Sequence, residues 1–281
     1  MMDPLTGSHD RHADPVAPPG IDVTTPHPAR RYDYWLGGVD NFEADRASAE
    51  AVAEAFPSVQ IAALENRAFL RRVVGYLAAE AGIRQFLDLG AGLPTAGNVH
   101  EIAQAVAPES RIVYVDNDPI VALHARSLLD SAPEGATRYL EADARRPETI
   151  LTHPDLLATL DLSHPVALIM LAVMHFLPDD DRPYDVVEQL IEALAPGSYL
   201  VMSHATSDHL SEEDLADSER ANKRSGIPFR LRSTVEFSRF FTGLELVEPG
   251  IVSIINWPTE SHRAHPRPEA VSMLGAVARK P

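Results

Sequence analysis

The sequence predicts an α/β fold: a mostly parallel sheet of seven strands with helices on both faces, preceded by a helical segment that covers it. Two observations predict this. After Gly82, short apolar runs alternate with helical patterns, the order that produces a doubly wound sheet with right-handed crossovers. The run "PVALIMLAV" (165–173) is apolar at nearly every position, as expected of a parallel strand covered on both sides. The chain has 281 residues, 45% hydrophobic and 23% charged, enough to bury a sizeable core as one compact unit.

Each element has a local reason. Residues 1–28 carry Pro4, Pro15, Pro18, Pro19, Pro26 and Pro28 and few large apolar side chains, so a disordered tail is expected there. Residues 29–82 read as an N-terminal helical lid. One alanine-rich helix in it runs from Phe42 to about Phe56, and a second carries Phe69, Leu70, Val73, Val74 and Leu77 at helical spacing and stops by Gly82. The domain proper is expected over 83–281. "QFLDLG" (85–90), "RIVYVD" (111–116), "TRYLEAD" (137–143), residues 165–173 and "GSYLVMSHA" (197–205) are its first five strands. Asn98 with Glu101, and Asp118 with Pro119, are helix-start signals between them. Residues 206–243 read as a charged helical insertion, with Ser233 and Glu236 as a capping box. "LELVEPGIVSI" and "SMLGAVARK" close the sheet as two strands, separated by the loop-like "NWPTESHRAHPRP".

Charge and composition exclude several functions. A net charge of −17 is opposite to the basic footprint that nucleic-acid binding requires. The absence of cysteine removes disulfides, thiolate metal sites and thiol nucleophiles together. The longest apolar run, Val166 to Met174, is far below the ~20 residues of a membrane span. The start of the chain lacks a signal-peptide pattern, so a cytoplasmic protein is expected. His262-x-x-His265 lies in a proline-rich loop without acidic company, and no metal site is expected from it. Nothing in the sequence fixes an oligomeric state.

Chemistry concentrates at the strand ends. Gly90 and Gly92 follow the first strand, where a glycine turn lets backbone approach a ligand closely. A dinucleotide fingerprint requires a third glycine at position 95, which is Thr95 behind Pro94, so a nicotinamide cofactor is disfavoured. Asp88, Asp116 and Asp143 then fall at three successive strand ends on one rim. Three carboxylates there suit a ligand bearing an amino group, a ribose and an exocyclic amine, which describes S-adenosylmethionine. Asp118 reads as the helix cap, and Asp88 either meets the ligand or organises the loop by accepting backbone N–H bonds.

The ordered set resembles class I S-adenosylmethionine-dependent methyltransferases, which have a Rossmann-like fold. "FLDLGAG", "VYVDNDP", "LEADAR" and "LIMLAVMHFLPD" look like their successive motifs, and the match covers residues 83 to 205. The resemblance implies that Asp116 and Asn117 lie at the ribose, Asp143 and Ala144 at the adenine, and Gly90, Gly92 and Ala172 along the rest of the cofactor. "ARRYDYWLGGVDNFEADR", "ENRAFLRRVVGYL" and "FFTGLELVEPGIV" resemble signatures of an actinobacterial branch long known as a domain of unknown function, now called S-adenosyl methyltransferases. That resemblance brings fold and cofactor but no acceptor.

The first of those stretches is expected to cover the cofactor. Arg31 suits a methionine carboxylate, the faces of Tyr32 and Tyr34 suit a sulfonium, and Asn41 follows a Gly37-Gly38 pair that permits hinge-like angles. His175 and His204 are the general-base candidates, each set against the simpler role of a core histidine. Arg220, Lys223, Arg224, Arg230 and Arg232 read as a solvated face where an anionic acceptor could dock. A small-molecule O- or N-acceptor is expected. The alternatives are a non-catalytic S-adenosylmethionine sensor and, less favoured, a nicotinamide-dependent oxidoreductase.

Overall fold

The computed structural model describes residues 17–128, 131–258 and 266–281. Three helices, not two, precede the sheet: α1 (Pro28–Trp35), α2 (Glu43–Ala55) and α3 (Val59–Ala79). The additional one starts with proline at its first position, where the missing N–H is no loss. Gly82, at φ +70°, then turns the chain into β1 (Gln85–Leu89). There follow α4 (Val99–Val106), β2 (Arg111–Asp116), α5 (Pro119–Leu128), β3 (Ala136–Glu141), α6 (Pro147–Leu151), α7 (Pro154–Thr159) and β4 (Ala167–Leu171). The chain continues through α8 (Pro183–Glu192), β5 (Tyr199–Ala205), α9 (Glu212–Ser225), α10 (Thr234–Ser238), β6 (Glu245–Leu246), β7 (Val252–Ser253), α11 (Pro268–Val271) and β8 (Met273–Arg279).

The strands form one sheet in the order β3-β2-β1-β4-β5-β8-β6, with β7 also on β8. Strands β1 to β5 are parallel and β8 runs antiparallel to β5. The sheet therefore has eight strands where seven were expected. "LELVEPGIVSI" is two strands on the same edge of β8, because Pro249 has no N–H to pair and Gly250 turns the chain at φ +83°. Both faces are covered, as the apolar strands require. Leu87, Val113, Leu168 and Leu200 face the side holding α6, α7 and α8. Phe86, Ile112, Ile169 and Val201 face α3 and α4.

Several local signals behave differently from their sequence reading. Asn98 does not cap α4: its Oδ1 accepts the Thr95 N–H, and its amide donates to Glu101 Oε1 at 3.1 Å. Asp118 does cap α5, accepting the Ile120 N–H at 3.0 Å. The capping box at Ser233 and Glu236 is formed. Part of the expected tail is packed, since Ile21 and Val23 lie against Phe42, Leu93, Ile120 and Val121; residues 1–16 lie outside the described residues. His262 and His265 also lie outside them. No described helix is long and apolar enough to cross a membrane.

Candidate active site

Strand order reverses between β1 and β4, and a cleft of about 300 Å³ opens there at the carboxyl ends of the strands. This is where an open parallel sheet leaves room for a ligand. The glycine turn forms one wall. Gly90 and Gly92 have φ near +70°, and the Gly90 N–H donates to Val115 O at 2.7 Å, tying the turn to β2. A Cβ at Gly90 would overlap the Val173 side chain, whereas one at Gly92 would meet no atom within 4 Å. Gly90 is therefore required by close approach of the chain, and Gly92 leaves open space above the turn. Gly90→Ala is expected to lower both the melting temperature and ligand affinity, read by thermal shift with and without S-adenosylhomocysteine.

The strand-end acids occupy three different environments. Asp116 accepts the Gly92 N–H at 2.8 Å and the Asp118 N–H at 3.0 Å, so its carboxylate shapes the turn while facing the cleft. Burial raises its pKa against those two bonds. Asp143 is also partly buried, but the Arg145 side chain grips both its oxygens at 2.7–3.0 Å and holds its pKa below the ordinary value. Asp88 is different. It is 8% exposed, lines the cleft and takes no hydrogen bond from the described residues. Burial, with the Asp116 charge adding to it, pushes its pKa up to about 7, while Arg67 pulls the other way.

The expected N-terminal contributors divide. His27, Pro28, Ala29 and Tyr32 line the cleft; Arg31, Tyr34 and Asn41 do not. Helical phase explains the split, because Tyr32 stands one turn from both Pro28 and Ala29, while Arg31 lies about 100° around the helix from Tyr32 on the side away from Ala29. Arg31 is buried between Trp35 and Phe176. Tyr34 bonds Glu50 at the surface, and Asn41 holds Asp33 and the Gly38 carbonyl. Tyr32 donates to Ala63 O at 3.0 Å and accepts from Asn66, whose Oδ1 accepts from Ser203 Oγ at 2.7 Å. Ser203 in turn accepts the N–H of Ala172, which has a left-handed φ of 56° at the end of β4. A non-glycine residue held there is strain that surrounding bonds must fix in place.

Asn66 and Arg67 are the residues that sequence reasoning passed over. Both line the cleft from α3, and Arg67 donates to Gly97 O at 3.0 Å beside the glycine turn. The signal for them was present in "ENRAFLRR", where polar side chains interrupt the apolar face of a helix. Asn117, Ala144 and Ala172 line the cleft as well. His175 and His204 do not. His204 is wedged between Ala205 O at 2.7 Å and Arg232 at 2.9 Å, and burial lowers its pKa to about 3. His175 is lowered well below the ordinary value by burial, then by His204, Arg31 and Arg232, and its Nδ1 accepts the Ala205 N–H. Both are neutral core histidines. Arg232 likewise departs from the expected solvated face: it is fully buried, whereas Arg220, Lys223, Arg224 and Arg230 are exposed.

A switch-point cleft with a glycine turn and three strand-end carboxylates is the site of an α/β protein for a nucleoside-bearing ligand. The sequence profile of the S-adenosyl methyltransferase family matches residues 14–281, and the chain belongs to that family. It is similar to the crystal structure of a Streptomyces avermitilis protein of the family formerly called DUF574, with 48% identity over 92% of this chain and 99% of that one, at a TM-score of 0.88. A candidate methyltransferase from Thermobifida fusca is 42% identical over 94% of this chain and 98% of its own, at a TM-score of 0.85. No curated protein matches. The chain is an S-adenosylmethionine-dependent methyltransferase, and the cleft offers hydrogen-bond acceptors of the kind such a cofactor needs, an unpartnered carboxylate at Asp88 and two further strand-end acids, with open space above Gly92.

Proposed function

We propose that the protein methylates a small molecule at oxygen or nitrogen, inside a cleft whose cofactor contacts can be assigned one by one. Asp116 receives the ribose hydroxyls, Asp143 and Ala144 the adenine, Asp88 the methionine ammonium, and Arg67 its carboxylate. Arg67 takes the role expected of Arg31, because it stands near Asp88 and its guanidinium can engage a carboxylate bidentately. When bound, S-adenosylmethionine supplies an electrophilic methyl carbon, to which an acceptor lone pair bonds as the carbon–sulfur pair returns to sulfur. The protein's part is alignment: an in-line transfer gains chiefly from holding the reacting atoms in contact.

The observation that carries the proposal is the roof. Pro26, His27, Pro28 and Tyr32 line the cleft together with Gly226, Ile227 and Pro228 of the insertion, and Pro26 lies beside Gly226. The two halves are joined by Ser48 Oγ donating to Ser225 O at 2.7 Å and by the Arg224–Glu54 ion pair at 3.2 Å. A roofed cleft of about 300 Å³ is at the low end of ligand-site volumes and suits a small acceptor better than a polymer. The acidic net charge of −17 agrees.

Asp116→Ala tests the cofactor assignment. It removes the acceptor of two loop amides and the ribose contact together. Affinity for S-adenosylhomocysteine is expected to fall about 10- to 100-fold, the scale of one or two charge-assisted hydrogen bonds. Calorimetric binding equal to the parent protein would show that a different acid holds the ribose. For the acceptor, incubating a fractionated small-molecule extract with methyl-labelled cofactor should transfer label to a low-mass product; label found only in macromolecules would refute the small-molecule reading.

A further inference from the structure

The acceptor end of the cleft has an unusual electrostatic balance. Its wall is Pro26, Tyr32, Phe176, Leu177, Ile227 and Pro228. Tyr32 is the one ionisable side chain among these six, and its hydroxyl is committed to Ala63 and Asn66, while His27, which lines the cleft beside Pro26, has its ring nitrogens against Asn117 Oδ1 and Asp118 Oδ2. His175 and His204 stand behind the wall as neutral rings. No described side chain there is placed to take a proton from an acceptor.

Behind the wall lies buried positive charge. Arg31 is 1% exposed, with its guanidinium 5.7 Å from the Phe176 ring centre and 5.0 Å from that of Trp35. Its one polar contact is a 3.4 Å bond to Ser48 Oγ, its Nε has no partner, and no described carboxylate lies within 4 Å. The carboxylate whose field reaches it, Asp45, is already paired with Arg30 at 3.5 Å. On the other side, buried Arg232 donates to Met174 O and Leu177 O, which fixes the turn carrying Phe176 and Leu177. Its counter-charge, Asp179, is largely exposed and shared with Arg230, while Glu236 pairs with Arg230 and caps α10. Arg30 is shared between Asp45 and Asp118, so the buried charges balance in number, but no described carboxylate touches the Arg31 guanidinium itself. A buried unpaired charge is costly, and cation–π contacts recover only part of the cost.

We propose that the acceptor is a flat, apolar molecule carrying a weakly acidic hydroxyl, such as a phenol or enol, which is methylated as its anion in the field of Arg31. The proposal rests on the small-molecule reading above. The hydroxyl proton goes to solvent before transfer. The oxygen lone pair then forms the new carbon–oxygen bond, and the neutral thioether departs. Aromatic Phe176 and Tyr32 bound a slot for the flat frame, and a positive potential in a low-dielectric wall populates the anion without a base.

The test uses 4-nitrophenol, whose anion absorbs visible light, added to the full-length protein saturated with S-adenosylhomocysteine. Spectrophotometric titration should show the bound phenol ionising at least one pH unit lower than the free phenol, equivalent to about a 10-fold preference for the anion. 4-Nitroanisole, the neutral analogue, should bind correspondingly more weakly. Arg31→Met should abolish the displacement and Arg31→Lys should retain most of it, with S-adenosylhomocysteine binding reporting that each variant is folded. A bound phenol that ionises at the same pH as the free one, or higher, overturns the proposal on the parent protein alone, even if the variants do not fold. Equal binding of nitroanisole does the same. If S-adenosylhomocysteine binds but neither probe does, the flat-phenol proposal falls, while the small-molecule reading is decided separately by the label-transfer experiment above.

Discussion

Asp88→Asn is expected to make the protein more stable and to weaken its grip on the cofactor. Asp88 is buried at the end of β1 without a hydrogen-bond partner among the described residues, and its pKa rises from 3.8 to about 7, first through burial. Proton counting gives the sign. Between pH 3.8 and 7 the folded chain holds a proton at Asp88 that the unfolded chain has lost, so stability falls as pH rises through that window. Above pH 7 the whole penalty is present, of order 2–4 kcal/mol. Asparagine cannot ionise and removes it. The melting temperature at pH 8 should rise by about 5 °C or more, and the gain should vanish by pH 4. Affinity for S-adenosylhomocysteine should instead drop about 10- to 100-fold, because the methionine ammonium loses a charge-assisted partner.

The same residue predicts a proton inventory. Placing an ammonium beside Asp88 favours its ionised form, so binding at pH 6 should expel close to one proton, and binding at pH 8 almost none from this group. Calorimetry in buffers of different ionisation enthalpy measures this directly, and the proton release at pH 6 should be absent in Asp88→Asn. A variant that is destabilised at pH 8, or that binds with unchanged affinity, would mean that Asp88 serves the loop and not the ligand.

The sequence was most legible where chemistry and periodicity coincide. β1 to β5 announced themselves as apolar runs, and each acid at a strand end faces the rim because parallel strands all end on the same side. Asp88, Gly90, Gly92, Asp116, Asn117, Asp143, Ala144 and Ala172 consequently come together at the cleft. Helical phase was not legible. In "ARRYDYW" the chemistry of Arg31 fits a methionine carboxylate, but a one-residue step around α1 turns it into the core and leaves Tyr32 on the cleft. Arg67, separated by 36 positions from Arg31, reaches the cleft because α3 packs across the sheet. The break in "LELVEPGIVSI" was visible as Pro249-Gly250, and eight strands follow from giving those two residues their full weight.

Arg30→Met should release the N-terminal cover while leaving the sheet folded. Arg30 is buried, with Nε 3.1 Å from Asp118 Oδ2 and a guanidinium nitrogen 3.5 Å from Asp45 Oδ2. It also donates to Thr25 O at 3.1 Å and Asp22 O at 3.4 Å, so one side chain ties the segment before α1 to α2 and to the cap of α5. Methionine fills similar space but leaves two carboxylates, each at most 1% exposed, facing each other. Breaking a buried charge cluster in this way costs about 3–5 kcal/mol, against which the cover keeps its packing of α2 on α9 and the bonds of Tyr32 and Ser48. Burial raises Asp45 and opposes ionisation of Asp118, which His27, the Ile120 N–H and Arg30 presently hold below its ordinary value. With Arg30 gone both pKa values rise, so the defect should be largest at neutral and alkaline pH and should shrink on acidification as the carboxyls take up protons. Hydrogen exchange should show lost protection over 28–55 with β1 to β5 unchanged, and S-adenosylhomocysteine affinity should fall because Pro26, His27 and Tyr32 no longer roof the cleft. Protection over 28–55 equal to the parent's would place the anchor of the cover elsewhere, in the contacts of α2 with α9.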